Sequence, residues 1–173
     1  SPKFFNYPFS YHNPMKMFSS ADDFFTPELR SLVSNKDTPL EDVLMLPYFS
    51  KSSRLGFAPV TKYLAQHSEE ILKLAFCDDN STLSAASYSV LLTGQPEILK
   101  PLITNGWLLT TAVDLLGSNE TKDYLIGRLA SVTLVCIGAL DESILDQCTF
   151  IFNFLPHCNN PSAFNLLTCI CDD

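Results

Sequence analysis

Apolar residues recur along the chain in short blocks with three- and four-residue spacing, and most blocks follow a helix-start signal. Leu29, Leu32 and Val33 follow Thr26-Pro27; Leu40, Val43 and Leu44 follow Thr38-Pro39; Val60 to Gln66 follows Ala58-Pro59. Gln95-Pro96 and Asn160-Pro161 repeat the device further on. Apolar side chains at i, i+3 and i+4 make one face of an α-helix. A proline at the first helical position gives up no useful N–H, and its fixed φ already suits the helix. A Thr or Asn ahead of it can cap the free N–H groups of the first turn. Thr38 with Glu41 reads as a capping box, and Ser68 reads as the cap of a helix running to Phe76.

The remaining elements are predicted in the same way. Pro47 ends the helix after Thr38, and Tyr48-Phe49 begins a short turn. Asp78-Asp79-Asn80-Ser81 is a turn. Leu83 to Thr93 is a helix closed by Gly94, a residue suited to a left-handed cap. Pro96 to Thr104 follows, with Pro101 expected to kink or split it. Trp107 to Leu116 ends at Gly117, Glu120 to Gly138 is the longest and most apolar helix, and Pro161 opens the last. Asp141 is predicted to cap a helix over Glu142–Phe154, with Ile144, Leu145, Cys148, Ile151, Phe152 and Leu155 as its stripe. No strand pair with a hairpin turn is visible. The fold class is therefore all-α, with about nine to eleven short helices judged by capping signals. An irregular armadillo/HEAT-like helical-repeat solenoid is expected, because pairs or triplets of elements fill windows of about 40 residues; a compact helical bundle is the alternative.

Residues 1–20 break the pattern. Phe4, Phe5, Tyr7, Phe9, Tyr11 and Phe18 crowd a segment that Pro8 and Pro14 keep from forming a long helix. An arm laid over the first helices is expected there, with a peptide-like recognition segment as the alternative. Residues 21–173 are expected to form a single all-helical domain. Its apolar finish at Leu166–Cys171 reads as a fragment of a longer array, since terminal repeats carry a polar outer face.

Composition narrows the function classes. The formal net charge is −8, with 11 basic and 19 acidic residues, and the basic residues are scattered. An acidic chain repels phosphate backbones and anionic membranes, so no nucleic-acid partner is expected. The longest apolar run, Leu129 to Leu140, falls short of the roughly 20 residues a bilayer span takes, so no membrane insertion is expected either. No signal peptide is read at the first residues, and the expected compartment is cytoplasmic, with the nucleus also open. The six cysteines are read as reduced and structural. The sequons Asn80-Ser81-Thr82 and Asn119-Glu120-Thr121 would matter only in a secretory compartment.

Candidate chemistry is sparse. The three histidines are His12 in the arm, His67 between two helices and His157 in a turn. No nucleophile elbow or phosphate-binding glycine loop occurs. Cys148, His157, Cys158, Cys169 and Cys171 are zinc-type ligands. Their spacings match no paired knuckle, however, and Cys169 and Cys171 diverge by about 200° on a helix. Carboxylate pairs read as turns and caps, and Trp107 as a core anchor. No catalytic, cofactor-binding or metal residue is assigned, no cofactor is expected, and partner-binding residues are left unnamed.

Two stretches resemble a known family. Asp37-Thr38-Pro39-Leu40-Glu41-Asp42-Val43-Leu44 followed by Pro59-Val60-Thr61-Lys62-Tyr63-Leu64, and Ala86–Thr93 leading into Gln95-Pro96-Glu97-Ile98-Leu99, resemble the N-terminal part of the SAPS-domain proteins, regulatory subunits of type 6-like serine/threonine protein phosphatases. His157, Ser162-Ala163 and Leu166-Leu167 look like a further block, one residue out of step. Ser118-Asn119-Glu120-Thr121 stands where the family carries an Asn-Pro-Leu block. The resemblance implies a non-enzymatic, protein-binding scaffold that holds a phosphatase catalytic subunit and carries no catalytic residue of its own. Two other readings stand beside it: a generic armadillo-like adaptor in transport or assembly, and a cysteine-dependent enzyme, which would need an activated thiol with a histidine in reach.

Overall fold

A computed structural model describes residues 20–172. Among these residues the chain forms ten α-helices and three 3-10 segments, and no strand. The helices are α1 (Pro27–Val33), α2 (Leu40–Leu44), α3 (Phe49–Leu55), α4 (Ala58–Gln66), α5 (Ser68–Ala75), α6 (Thr82–Leu91), α7 (Pro96–Thr104), α8 (Trp107–Leu116), α9 (Asp123–Ala139) and α10 (Pro161–Cys171). The 3-10 segments are Ala21–Phe24, Glu142–Gln147 and Thr149–His157. The predicted arm, His12 included, lies outside the described residues apart from Ser20, as does the side chain of Leu145.

Several helix starts follow the local rules. Thr26 Oγ1 accepts from the Leu29 N–H at 3.2 Å, with Pro27 in the first turn. Asn160 Oδ1 accepts from Ser162 and Ala163 ahead of Pro161. Ser81, predicted in a turn, caps α6 through the Ser84 N–H. Gly94 and Gly106 take φ of +71° and +72° between helices, a conformation that suits a residue without Cβ.

The core is centred on α7. Ile98, Leu99 and Leu102 are fully buried there, and α7 packs against α4, α5, α8 and α9. Toward the N-terminus, α5 packs on α6, and α6 borders α2 and α3. Toward the C-terminus, α9 packs on α10, which also meets Thr149–His157. Pro101 does not split α7. The helix sacrifices one backbone bond but is held along its length by four buried side chains, Ile98, Leu99, Leu102 and Ile103.

Four predictions need correcting. Thr38 does not cap α2, whose cap position is Pro39. Its hydroxyl turns back to donate to Leu32 O at 2.7 Å, satisfying a carbonyl at the end of α1, while Tyr63 Oη donates to Thr38 O at 2.6 Å. Two tertiary bonds displace the local capping box. Ser68 is likewise the first residue of α5 rather than its cap; its hydroxyl donates to Ala65 O across the bend at His67. Tyr48-Phe49 opens a full helix, α3, with Tyr48 at φ +64°. Finally, the segment after Asp141 is not α-helical. It winds as two 3-10 runs with Cys148 between them; Ile144, Cys148, Phe150, Ile151 and Phe154 are buried, while Phe152 and Leu155 face out. With three residues per turn, positions i and i+3 line up, so Cys148, Ile151 and Phe154 share a ridge with Phe150 buried beside it.

Candidate functional site

Small side chains on two facing helices open the one cleft in which a buried polar group is left over. α3 carries Ser50, Ser52 and Ser53, and α6 carries Ala85, Ala86 and Ser89. Close-packed interiors need large side chains to fill the space between helices. Here they do not, and a cavity of about 280 Å³ remains between α3 and α6. Leu44, Phe49, Val90 and Leu92 make its apolar wall, with Ala86 between them. Ser50, Ser53, Ser89 and Thr93 add hydroxyls, and Arg54 is the only charged lining residue.

Two of the four hydroxyls are already engaged. Ser89 donates to Ala85 O and Thr93 to Val90 O. Ser53 differs: at 2% exposure it is buried, and among the described residues its Oγ is the sole buried side-chain N or O without a hydrogen-bond partner. The Ser53 backbone is fixed from beneath, because Gln95 Nε2 donates to Ser53 O at 2.6 Å and Gln95 Oε1 accepts from Thr61 Oγ1 at 2.6 Å. Gln95, predicted only as the residue ahead of a helix-start proline, therefore ties α3, α4 and α7 together under the cleft. The rim is partly apolar, with Leu92 at 38% exposure and Met45, next to Leu44, at 41%. Two further hollows, of about 560 and 710 Å³, lie along α4 around Lys62 and Gln66. They are larger and more open, and hold no unpaired buried group among the described residues.

A second polar cluster sits where α5, α6 and α9 meet. Arg128 Nη1 donates to Ala75 O and to Ser84 Oγ, each at 2.9 Å, and Nη2 donates to Asn80 Oδ1 at 3.2 Å. Its guanidinium lies 4.9 Å from the Tyr88 ring centre and 5.1 Å from that of Tyr124. Tyr124 Oη donates to Asp78, and Lys122 pairs with Asp78 at 3.0 Å. Burial raises the Tyr124 phenol, with the Asp78 bond adding to it. The Asp79 carboxyl is held below the usual range, chiefly by the Ser81 backbone N–H and then by the Cys77 thiol. These bonds and ring contacts make the cluster a clasp between α5, α6 and α9.

The residues weighed as chemistry in the sequence are dispersed. Cys148 is buried while Cys158, Cys169 and Cys171 are exposed, and among the described residues no three His, Cys, Asp or Glu side chains stand together as metal ligands would. Cys158 donates to Leu155 O, and Cys77 to Leu74 O and Asp79. Burial pushes the Cys136 thiol up to about 12, with the neighbouring Cys148 adding to it, and burial raises Cys148 as well. His67 tilts over Tyr63 at 4.3 Å, donates from Nε2 to Lys36 O, and sets Nδ1 at 3.5 Å from Glu70. It occupies the bend between α4 and α5. Trp107 is half-buried against the core. No described helix is long and apolar enough to cross a membrane.

The cleft residues were not nominated from sequence. A signal was present in the pairing of a serine-rich helix, α3, with an alanine- and serine-rich one, α6, but only their spatial adjacency gives it meaning. Comparison of the chain with protein-family models, curated proteins and solved structures finds no match.

Proposed function

We propose that this chain is a non-enzymatic protein-binding scaffold of the helical-repeat type, and that its partner is a serine/threonine phosphatase catalytic subunit. The observation that carries the binding reading is the α3/α6 cleft: apolar, about 280 Å³, and lined by a buried hydroxyl without a partner. A cavity of that size falls just under the roughly 300–1,000 Å³ of small-molecule sites and suits the side chain of another polypeptide. The order of packing supports the armadillo/HEAT-like reading. Contacts pass from α4 and α5 through α7 to α8 and α9 and then to α10, with α6 set against α2, α3 and α5, and no element before Phe76 packs extensively on one after Leu140. In a repeat array each unit touches chiefly its neighbours. The phosphatase assignment rests on the resemblance of Asp37–Leu44, Pro59–Leu64 and Ala86–Leu99 to the SAPS-domain family.

The test is co-purification. The chain, immobilised and exposed to a cell extract, is expected to retain a serine/threonine phosphatase catalytic subunit, detected by immunoblot and by dephosphorylation of a phosphopeptide in the eluate. An eluate without phosphatase activity overturns the partner, and a defined set of non-phosphatase partners would favour a generic adaptor.

A further inference from the structure

The cleft also carries information about what enters it. α3 and α6 together hold two cations, Lys51 and Arg54, and no carboxylate, in a chain whose net charge is −8. Arg54 is exposed at the edge of the cleft, and among the described residues it makes no ion pair. Lys51 lies over the Phe24 ring at 5.9 Å on the adjoining side of α3. Arg54 is thus the one charge lining the opening, and the interior is apolar. Beside the apolar wall stands the unpaired Ser53 hydroxyl, a group that costs free energy until something bonds it.

We propose that the α3/α6 cleft binds an acidic polypeptide segment, with one large apolar side chain seated against Leu44, Phe49 and Val90 and a neighbouring Asp or Glu drawn to Arg54. This rests on the scaffold reading above and names the chemistry of the segment that such a scaffold holds. A polypeptide is the occupant that fits all three features. Its anchor fills the space left by Ala86 and Ser89, its carboxylate meets the one charged residue, and its backbone offers an N–H and a C=O at each residue, either of which can satisfy Ser53. A basic segment would be attracted by the overall charge of the chain but would place its cation beside Arg54, and like-charge juxtaposition is a strong discriminator at an interface.

The experiment is selection of short random peptides displayed on phage against the full chain, followed by fluorescence polarisation with the enriched peptides synthesised and labelled. The expected consensus is one Leu, Ile, Phe or Met with Asp or Glu within a few positions. Arg54→Glu, an exposed substitution that leaves the fold intact, is expected to weaken binding about tenfold and to reduce its salt dependence. Ser53→Ala is expected to weaken it about fivefold, the worth of one hydrogen bond, while raising the melting temperature of the free chain; a merely structural serine would not move the two readouts in opposite directions. Enriched peptides that are neutral or basic, or that bind Arg54→Glu as well as the parent, would overturn the acidic occupant and leave the scaffold reading intact. Failure to enrich any peptide would overturn the cleft as a peptide site, and co-purification of the phosphatase would then judge the scaffold reading alone.

Discussion

Helix α6 has two sides built from the same small residues, and they behave differently. Ser84, Ser87 and Leu91, three and four apart, form a buried stripe in which Ser84 meets Arg128 of α9; Ala86, Ser89 and Val90, with Thr93 just beyond the helix, line the cavity against α3. On the first side an arginine arrives from α9, fills the space and bonds Ser84. On the second, the facing residues Ser50 and Ser53 are small as well, so a cavity and an unbonded hydroxyl remain. Small residues close a helix pair when the neighbour is large and open a cleft when it is not.

The strongest way to break this contrast is to remove the side chain that closes the first side. Arg128→Ala withdraws bonds to Ala75 O, Ser84 and Asn80 and contacts with two tyrosine rings. At about 1 kcal/mol per bond and somewhat less per ring contact, discounted because Arg128 is only half-buried, the expected loss is about 3 kcal/mol in urea unfolding. Arg128→Lys should recover little, since an ammonium cannot reproduce the planar fork between two rings. Overpacking gives the next largest effect. Ser87→Leu at a fully buried position is expected to cost about 2 kcal/mol through forced side-chain shifts. Ala86→Leu, one residue along and facing the cavity, should cost well under 1 kcal/mol because the space exists. Equal losses at the two positions would mean that the stripes are not distinct.

The helix starts were legible in sequence, and neither side of α6 was. Thr26, Asn160, Pro27 and Pro161 announce helix starts through bonds within one turn, and those bonds form as expected. Thr38 and Ser68 carry the same local signal, yet each gives its hydroxyl to a carbonyl at the end of the preceding helix. A cap is worth about 1 kcal/mol, little enough for a competing carbonyl to win. Between Ile144 and Leu155 eight of twelve residues are apolar, so a stripe can be drawn at 3.6 or at 3.0 residues per turn, and the buried set, Ile144, Cys148, Phe150, Ile151 and Phe154, fits either. The cleft depends on which helices face each other, and periodicity within α3 or within α6 contains no such information.

Alkaline titration sharpens the comparison further, because the buried ionisable groups lie away from the cleft. Burial, with smaller contributions from Glu70 and then Asp42, pushes the Tyr63 phenol up to about 12 from 10.0, and the Cys136 thiol rises to about 12 from 9.0. In both cases the folded value lies above the unfolded one, so the unfolded chain loses its proton first. The stability these groups lend is complete below about pH 9 and is lost as pH rises toward 12. The urea midpoint should fall across that window. Tyr63→Phe should lower it modestly at neutral pH, by leaving Thr38 O without its donor, and should flatten the alkaline fall. An unchanged slope would show that the phenol ionises as readily in the folded chain.

The most direct comparison pits one serine against another across the two sides of α6. Ser84 and Ser53 are both buried, and each is a hydroxyl at a helix–helix contact. Ser84→Ala removes an acceptor from Arg128 and should destabilise by about 1 kcal/mol. Ser53→Ala removes a hydroxyl that bonds nothing, so desolvation of that group on folding is avoided and stability should rise by about 0.5 to 1 kcal/mol. Side-chain volume and helix propensity change alike in the two substitutions, so the opposite signs isolate hydrogen bonding as the cause. If Ser53→Ala lowers the urea midpoint as Ser84→Ala does, the hydroxyl has a partner in solution, and the cleft loses the one feature that sets it apart from a packing gap.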